Sequence, residues 1–291
     1  MAVVPTTQTR TPGRWATLPV PVRAIIAGLL IGLTAANVWP PLLFALGVPL
    51  AAIAEAVFLM LFLWVGERRR SAACDAHRPP NGVPPSHAGS RSMGVGVIGA
   101  LSFAATIHAA IVLLFRLVPF PTASFRQGYD FSFIPSLRLR WLAVVVSAAS
   151  AGICEETGFR GYMQQPIEGR YGAATGIAVS SFFFMLLHLT KGWALIGMVP
   201  IVFGAGALLG LLAWSSRSLI PPMIGHIVMD VGLFAYWWTG IAGDFTARPI
   251  AETGIDQPFL IACAALATTL FMVLLAIQRL RRISTDAPEA P

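Results

Sequence analysis

Two adjacent glutamates and an arginine stand out in the stretch CEETGFRGY, residues 154–162, because the chain around them is strongly apolar. If the stretch is helical, Glu156 and Arg160 occupy positions i and i+4 on one face, in the order that favours an ion pair. Glu155 is rotated from Glu156 by about 100° and points elsewhere. A desolvated carboxyl group without a cationic partner is suited to general acid and base catalysis. The alternative is a structural polar cluster between helices.

Two further apolar stretches carry ionisable side chains. In FFFMLLHLT, His188 follows Phe184 by one helical turn, and in GHIVMD, His226 and Asp230 are i and i+4 on one face. A lone histidine in an apolar helix is commonly an interhelical hydrogen bonder, and an aspartate often only orients a histidine. Each ionisable group costs about 2.5–3.5 kcal/mol at membrane depth, so five of them oppose insertion by on the order of 10 kcal/mol. That cost predicts a shared interior cavity that serves catalysis or transport.

The composition predicts a membrane protein. The chain has 291 residues, of which 56% are hydrophobic and 11% charged, with a mean hydropathy of +0.73. Soluble domains carry about 25% charged residues. The net charge of +7 comes from arginines between apolar runs, which indicates topology signals and no nucleic-acid surface. The three cysteines, Cys74, Cys154 and Cys263, are too far apart for metal-ligand spacing or a disulfide framework, and we interpret Cys154 as a packing residue.

The apolar runs predict an all-α polytopic membrane protein with about eight transmembrane helices that enclose a polar cavity, since a span needs roughly 20 apolar residues. The predicted spans are 22–44, 47–65, 93–118, 139–163, 173–190, 194–214, 218–240 and 257–278. Pro40-Pro41 is expected to break the first apolar stretch from the second. The integral domain then covers 22–278, with a basic loop at 66–92, catalytic core helices at 139–240, and tails at 1–21 and 279–291.

The distribution of arginines predicts that both termini are cytoplasmic. In that orientation 14 of the 20 Lys and Arg residues face the cytoplasm. Four arginines in 116–140 fall on the opposite side, and this segment is expected to be an interfacial amphipathic piece. We expect a retained first span and a location in the plasma membrane.

The three motifs, Glu-Glu-x-x-x-Arg, Phe-x-x-x-His and His-x-x-x-Asp, lie in this order on successive predicted spans. Their order resembles the family of CAAX proteases and bacteriocin-processing enzymes, also called the Abi family, which includes the type II CAAX prenyl endopeptidases and has Asn or Asp at the last position. The match covers about residues 140–240. The resemblance implies an intramembrane endopeptidase with eight helices, a cavity open to the cytoplasm, and a membrane-associated protein or peptide as substrate.

The resemblance also implies roles for six residues. Glu155 is expected to activate the attacking water and His188 to hold it, with Glu156 and Arg160 as the supporting acid and base. His226 and Asp230 are expected to stabilise the oxyanion or to bind a metal.

The residues leave two kinds of chemistry open. His188 and His226 with Glu155 or Asp230 could form a catalytic site for a divalent metal such as zinc. A metal-free site would instead use a glutamate base and donors aimed at the oxyanion. An ionised Asp230 would repel that oxygen, so it would have to be protonated or orient His226.

The depth of His188 is the weakest part of the prediction. If Tyr162 ends its span, Glu155 lies roughly 10 Å inside, and His226 also lies roughly 10 Å from Leu219. His188 lies about 22 Å from Ala173, which is too deep to meet them unless this helix starts in the cytoplasm or is strongly tilted.

The same polar residues are also compatible with two functions other than a peptidase. The alternatives to a peptidase are an ion-coupled transporter with a Glu/His/Asp relay and a non-catalytic membrane scaffold. The sequence shows no internal repeat, which a transporter often has. Glu55 and His108 are interpreted as interhelical hydrogen bonders, and Gly204, Gly206 and Gly210 as residues that let helices approach closely.

Overall fold

The computed structural model describes residues 14–76, 90–126, 131–189 and 197–285, and the described residues form helices and no strands. The main helices are α1 (Val20–Gly32), α2 (Thr34–Ala76), α3 (Ser90–Leu117), α4 (Leu137–Glu156), α5 (Gln165–Tyr171), α6 (Ala173–His188), α7 (Val199–Ser216), α8 (Ile220–Gly232) and α9 (Gln257–Thr285). Two stretches are π-helical: Thr157–Gln164, here called the π segment, and Leu233–Trp238 after α8. Short helices cover Arg14–Thr17, Thr122–Arg126 and Ile250–Thr253.

Among the described residues, five helical segments are long and apolar enough to cross a membrane, so the all-α, multi-pass membrane class is confirmed. They are Val20–Gly66, Ser92–Leu117, Leu137–Tyr171, Val199–Ser216 and Gln257–Ile283. The predicted count of about eight spans is not confirmed. The predicted spans 22–44 and 47–65 fall in one 47-residue segment, and 173–190 corresponds to a 16-residue helix. The predicted span 218–240 corresponds to a 13-residue helix followed by a π-helical stretch.

The sequence predicts a break at Pro40-Pro41, but this prediction is wrong. The break within α2 lies at Gly47. Gly47 has φ 69° and ψ 166°, while both prolines lie inside the helix. Glycine adopts positive φ without a steric penalty, whereas the fixed φ of proline is itself close to the helical value. The helix is therefore interrupted six residues after the prolines.

Several predicted boundaries move because helices are longer than the apolar runs. α2 continues to Ala76 and α9 to Thr285. Of the predicted loop at 66–92, residues 77–89 lie outside the described residues. The same holds for residues 1–13 and 286–291 of the two predicted tails.

The helices pack around a core that α3, α7 and α9 share. Its buried members include Phe103, Ile111, Leu209, Leu212 and Val273. α8 lies against this core and against α4, since Gly225 contacts Phe103 and Gly152 of α4 contacts Ile227. α1 packs on the π segment. Large apolar side chains such as Phe44, Ile53 and Phe271 point outwards, as expected for surfaces that face lipid.

Three of the four arginines in segment 116–140 have polar partners nearby. Arg116 is buried and lies 2.8 Å from Asp256, and Arg126 forms an ion pair with Asp244. Arg140 donates to the carbonyl oxygen of Ile134 at 2.7 Å. The acidic loop 241–256 and backbone carbonyls thus offset the charges that oppose the predicted topology.

Candidate active site

The ion pair predicted between Glu156 and Arg160 is present and completely buried. Nη1 of Arg160 lies 3.0 Å from Oε1 of Glu156, and neither side chain is exposed. The backbone differs from the prediction, because residues 157–164 are π-helical instead of α-helical. Single π turns within α-helices are rare and occur frequently at functional sites.

Glu156 also contacts His226, which the sequence analysis did not predict. Its Oε1 lies 2.7 Å from Nδ1 of His226 on α8, 70 residues further along the chain. Oδ2 of Asp230 lies 3.5 Å from Nε2 of the same ring, which is beyond ordinary hydrogen-bond length. The closest contact that orients His226 therefore comes from Glu156, and Asp230 makes only a longer ionic contact.

Arg160 fastens the π segment to α6 and α7. Its Nη2 donates to the carbonyl oxygen of Gly206 at 3.1 Å, and its guanidinium carbon lies 4.8 Å from the ring centre of Phe184. A Cβ on Gly206 would lie 3.1 Å from the backbone of Ser181. The predicted close approach is thus present at Gly206, whereas a Cβ on Gly204 would meet open space.

The buried ring of Phe184 connects the two histidines. Its centre lies 4.6 Å from that of His188 and 5.8 Å from that of His226. It also lies 5.4 Å from Phe159 of the π segment. Phe184 therefore limits the positions of both imidazole rings. The sequence analysis named it only as a neighbour of His188 on the same helix face.

His188 has a tautomer that its backbone contact determines. Its Nδ1 lies 2.8 Å from the carbonyl oxygen of Phe184. A carbonyl oxygen can only accept a hydrogen bond, so Nδ1 carries a proton. In the neutral ring, Nε2 then holds the lone pair.

Glu155, His188, His226 and Asp230 line one cavity of about 450 Å³. These four side chains come from three different helices, α4, α6 and α8, as the sequence predicted. Glu156 and Arg160 are not part of the lining and lie behind it. The other lining residues are mostly apolar or aromatic, and they include Trp39, Leu43, Phe44, Phe131, Phe133, Phe234 and Trp238. The arrangement is a group of acids and histidines at one part of an apolar cavity, which suits hydrolysis of a bond brought in by an apolar substrate.

The structure places His188 and Glu155 at similar depths, contrary to the estimate from the sequence. The reason is that the helix of the fourth span continues beyond Tyr162, where the sequence analysis placed its end. The helical path from Leu137 continues to Tyr171 and then turns at Gly172, which has φ 88°. Glu155 precedes Gly172 by 17 residues, and His188 follows it by 16. At about 1.5 Å per residue, the two lie at nearly equal heights above the turn.

The residues named as alternative metal ligands share the cavity without forming a ligand group. Among the described residues, no set of three or more His, Cys, Asp and Glu side chains is arranged to hold a metal ion. Both nitrogens of His226 face carboxylate oxygens, at 2.7 and 3.5 Å. A ring held in this way is better suited to donating hydrogen bonds than to ligating a cation.

Glu55 is closer to the site than the sequence analysis suggested. It is fully buried and accepts a hydrogen bond of 2.5 Å from Oγ of Ser150, which lines the cavity. The interhelical role is as expected, but its place beside the cavity was missed. The small residues Ala151 and Ser147, one and two turns before Glu155, are the signal that this face of α4 lines a cavity.

Two other polar residues have mainly packing roles. Cys154 is completely buried in a cluster with Ala35 and Leu59, as predicted. His108 lies directly against Gly232, where a Cβ would come within 2.0 Å of its Nε2.

Comparison with known proteins identifies the part of the chain that carries the motifs. Residues 137–232 match the family model described as Type II CAAX prenyl endopeptidase Rce1-like. No curated protein and no solved structure matches the chain. The matched segment runs from the start of α4 to the end of α8 and contains all six candidate residues. Residues 137–232, about a third of the chain, are therefore similar to the type II CAAX prenyl endopeptidase Rce1-like family, which supports the resemblance to the CAAX proteases that the motifs indicate.

Proposed function

We propose that this protein is an intramembrane endopeptidase that hydrolyses a peptide bond of a membrane-associated protein or peptide, with a water molecule activated by Glu155 and His188. One observation carries the proposal: Glu155, His188, His226 and Asp230, from three different helices, line one cavity. Its apolar walls suit a substrate that enters from the membrane, and its acids and histidines supply proton transfer.

In the proposed reaction, Glu155 acts as general base. Its carboxylate removes a proton from the water while the water oxygen bonds to the carbonyl carbon of the scissile peptide. His188 holds this water through Nε2. When the C–N bond breaks, the protonated Glu155 returns the proton to the leaving amine, and the products are a carboxylic acid and an amine.

His226 and Asp230 stabilise the negative oxygen that forms during the attack. The N–H at Nε2 of His226 donates to this oxygen, while Glu156 holds the opposite nitrogen at 2.7 Å. Asp230 acts in its protonated form and donates a second hydrogen bond, because an ionised carboxylate would repel the oxyanion. Arg160 keeps Glu156 ionised and in place.

This mechanism uses no metal: Nε2 of His188 accepts a hydrogen bond from the water, and Nε2 of His226 donates one to the oxyanion. We expect the purified enzyme to keep its activity after dialysis against a strong chelator. A loss of activity that zinc restores, with no change in the melting temperature, would assign the reaction to the metal-dependent alternative.

The test of the function is a Glu155→Gln strain compared with wild type by proteomics of membrane and secreted fractions. We expect uncleaved precursors to accumulate, with a rate loss of about 100-fold or more for an identified substrate. Glu252→Gln, an exposed glutamate outside the cavity, is the matched control. Ion-coupled flux without any cleavage in wild type would favour a transporter, and unchanged partner binding without cleavage would favour a scaffold.

We further propose that both termini face the cytoplasm of a plasma-membrane protein. The arginine distribution supports this orientation.

A further inference from the structure

A second cavity, of about 400 Å³, lies at the end of the helix bundle where α5, α7 and α9 finish. It shares no lining residue with the active-site cavity. We call it the basic pocket and define it by Gln164, Glu168, Trp214, Ser215, Arg217 and Arg281. None of these residues takes part in the proposed reaction.

Two guanidinium groups give the basic pocket its character. Arg217 follows the last residue of α7, and the guanidinium of Arg281 lies 4.9 Å from the ring centre of Trp214. The planar, multiply donating guanidinium group matches the oxygens of a phosphate. Two such groups at one cavity therefore indicate a phosphate-bearing ligand.

The carboxylate of Glu168 restricts which phosphate fits. The fully buried amide of Gln164 donates to Glu168 at 3.3 Å and to the carbonyl oxygen of Gly210 at 3.0 Å. This fixes the carboxylate at the wall of the pocket. Two arginines and one glutamate leave a formal charge of +1, which balances the single charge of a phosphodiester and not the higher charge of a phosphomonoester or polyphosphate.

The position of the basic pocket indicates where the phosphodiester comes from. It lies at the ends of two helices that are long and apolar enough to cross a membrane, Val199–Ser216 and Gln257–Ile283. The half-buried indole of Trp214 at this level is typical of the membrane–water interface. Phospholipid headgroups of the adjoining leaflet lie at the same level, and basic pockets between helix ends are known to receive them.

We propose that the basic pocket binds the phosphodiester of a membrane phospholipid, with Arg217 and Arg281 as the groups that hold the phosphate. This inference does not depend on the proposed peptidase activity. It adds a lipid-binding site on the helical path that carries Glu155 and Glu156. Gln164 of the basic pocket lies on this path, one turn beyond Arg160.

The test measures thermal unfolding of the purified full-length protein in an uncharged detergent. The probes are phosphatidylglycerol, diacylglycerol with the same acyl chains, and inorganic phosphate. We expect phosphatidylglycerol to raise the unfolding temperature of the wild type in a saturable manner, while the other two probes leave it unchanged. An equal effect of diacylglycerol would show that only acyl chains bind, and an equal effect of inorganic phosphate would assign the pocket to a soluble anion. Either result would overturn the proposal.

Variants connect the effect to the basic pocket. We expect Arg217→Gln combined with Arg281→Gln to weaken the apparent affinity for phosphatidylglycerol by about tenfold or more, as loss of charge-assisted hydrogen bonds predicts. The control Arg248→Gln removes an exposed arginine whose nearest carboxylate lies 3.9 Å away, and it should respond like the wild type. Arg217→Gln alone tests the same point if the double variant does not fold. Wild-type affinity in both Arg217 variants would overturn the proposal.

Discussion

A single oxygen of Glu156 lies 3.0 Å from Nη1 of Arg160 and 2.7 Å from Nδ1 of His226. The carboxylate therefore joins the π segment to α8 and sets the direction in which Nε2 of His226 points. Because Glu156 is completely buried and does not line the cavity, its role is to hold these groups. Glu155, its neighbour, lines the cavity, and in the proposed function it is the residue that meets the substrate.

This division of roles predicts different losses for the two glutamates. Glu156→Gln breaks a buried ion pair and should lower the free energy of unfolding by about 3 kcal/mol, with activity falling as His226 loses its orientation. Glu155→Gln should remove activity with little change in stability. Thermal unfolding and cleavage rates, measured for both variants and for Glu252→Gln as control, check this. Equal stability of Glu156→Gln and wild type would contradict it.

Asp230 is predicted to act as a hydrogen-bond donor to the oxyanion. In Asp230→Asn the amide can donate the same hydrogen bond, so activity should stay within about tenfold of wild type. Cleavage rates measured for both proteins test this prediction. A loss above about 100-fold would show that the carboxylate itself is required.

At the residue scale, sequence reasoning was successful where contacts are local. The Glu156–Arg160 pair follows from i, i+4 spacing on one helix, and it is present. The Glu156–His226 contact joins residues 70 positions apart and depends on how α8 packs against α4. The position of the Phe184 ring between both histidines depends on the same packing, so neither could be obtained from spacing alone.

At the scale of elements, the closest approach of two segments near the site involves α1 and the π segment. A Cβ added to Gly158 would lie 2.4 Å from the backbone nitrogen of Gly32 and 2.5 Å from the carbonyl oxygen of Gly28. Backbone atoms cannot yield as a flexible side chain can. Gly158, which lies within the first motif, is therefore needed for the packing of the π segment against α1.

We expect Gly158→Ala to move α1 away from the π segment. The free energy of unfolding should fall by about 1–3 kcal/mol, the range typical of overpacking, and activity should fall with it. Gly169→Ala is the matched control, because its added Cβ meets nothing within 4 Å. Thermal unfolding of both variants measures the difference. Similar values for the two variants would show that α1 is loosely held.

The contact between α3 and the start of α9 is predicted to depend on pH. The backbone N–H of Phe259 and the Arg116 guanidinium both lower the pKa of Asp256 below its usual 3.8. Because the pKa of Asp256 is lower in the folded protein than in the unfolded chain, the ionised carboxylate stabilises the folded state above about pH 3.8. This stabilisation is lost as the pH falls through the pKa of Asp256 in the folded protein. Asp256→Asn should therefore melt below wild type at pH 7, and the difference should shrink towards pH 3. A constant difference at both pH values would assign the effect to the lost hydrogen bonds alone.

Helix boundaries were predictable only where apolar runs and helices end together. The span 93–118 corresponds closely to Ser92–Leu117, because Ser92 limits the apolar run at one end and Arg116 and Pro119 lie at the other. The fourth span was placed at 139–163, but its helical path passes through polar residues to Tyr171. The π segment has only eight residues, which is too few to show a recognisable hydrophobic period. The sequence therefore did not predict it.

At the scale of the whole molecule, the two candidate site histidines, His188 and His226, lie on short helices of the bundle. α6 has 16 residues and α8 has 13, so they extend for about 24 and 20 Å. Both are shorter than the hydrocarbon core of about 30 Å. Longer helices, among them α3 and α4, surround them. This is why a count of apolar runs predicted eight equivalent spans, whereas five segments meet the length and hydropathy of a span.

The arrangement of helix ends makes the topology directly testable. Residues 165–171 and the ends of α7 and α9 lie at the end of the bundle that carries Arg170, Arg217 and Arg281, and the loop 241–256 lies at the other. If the arginine-rich end is cytoplasmic, Thr246→Cys should react with a membrane-impermeant maleimide in intact cells. Gly169→Cys should react only after permeabilisation. Both positions are exposed, and Cys74 and Cys263 are replaced by serine in the parent. Labelling of Gly169→Cys in intact cells would show that the topology is the reverse of the proposed one and that the basic pocket lies in the outer leaflet.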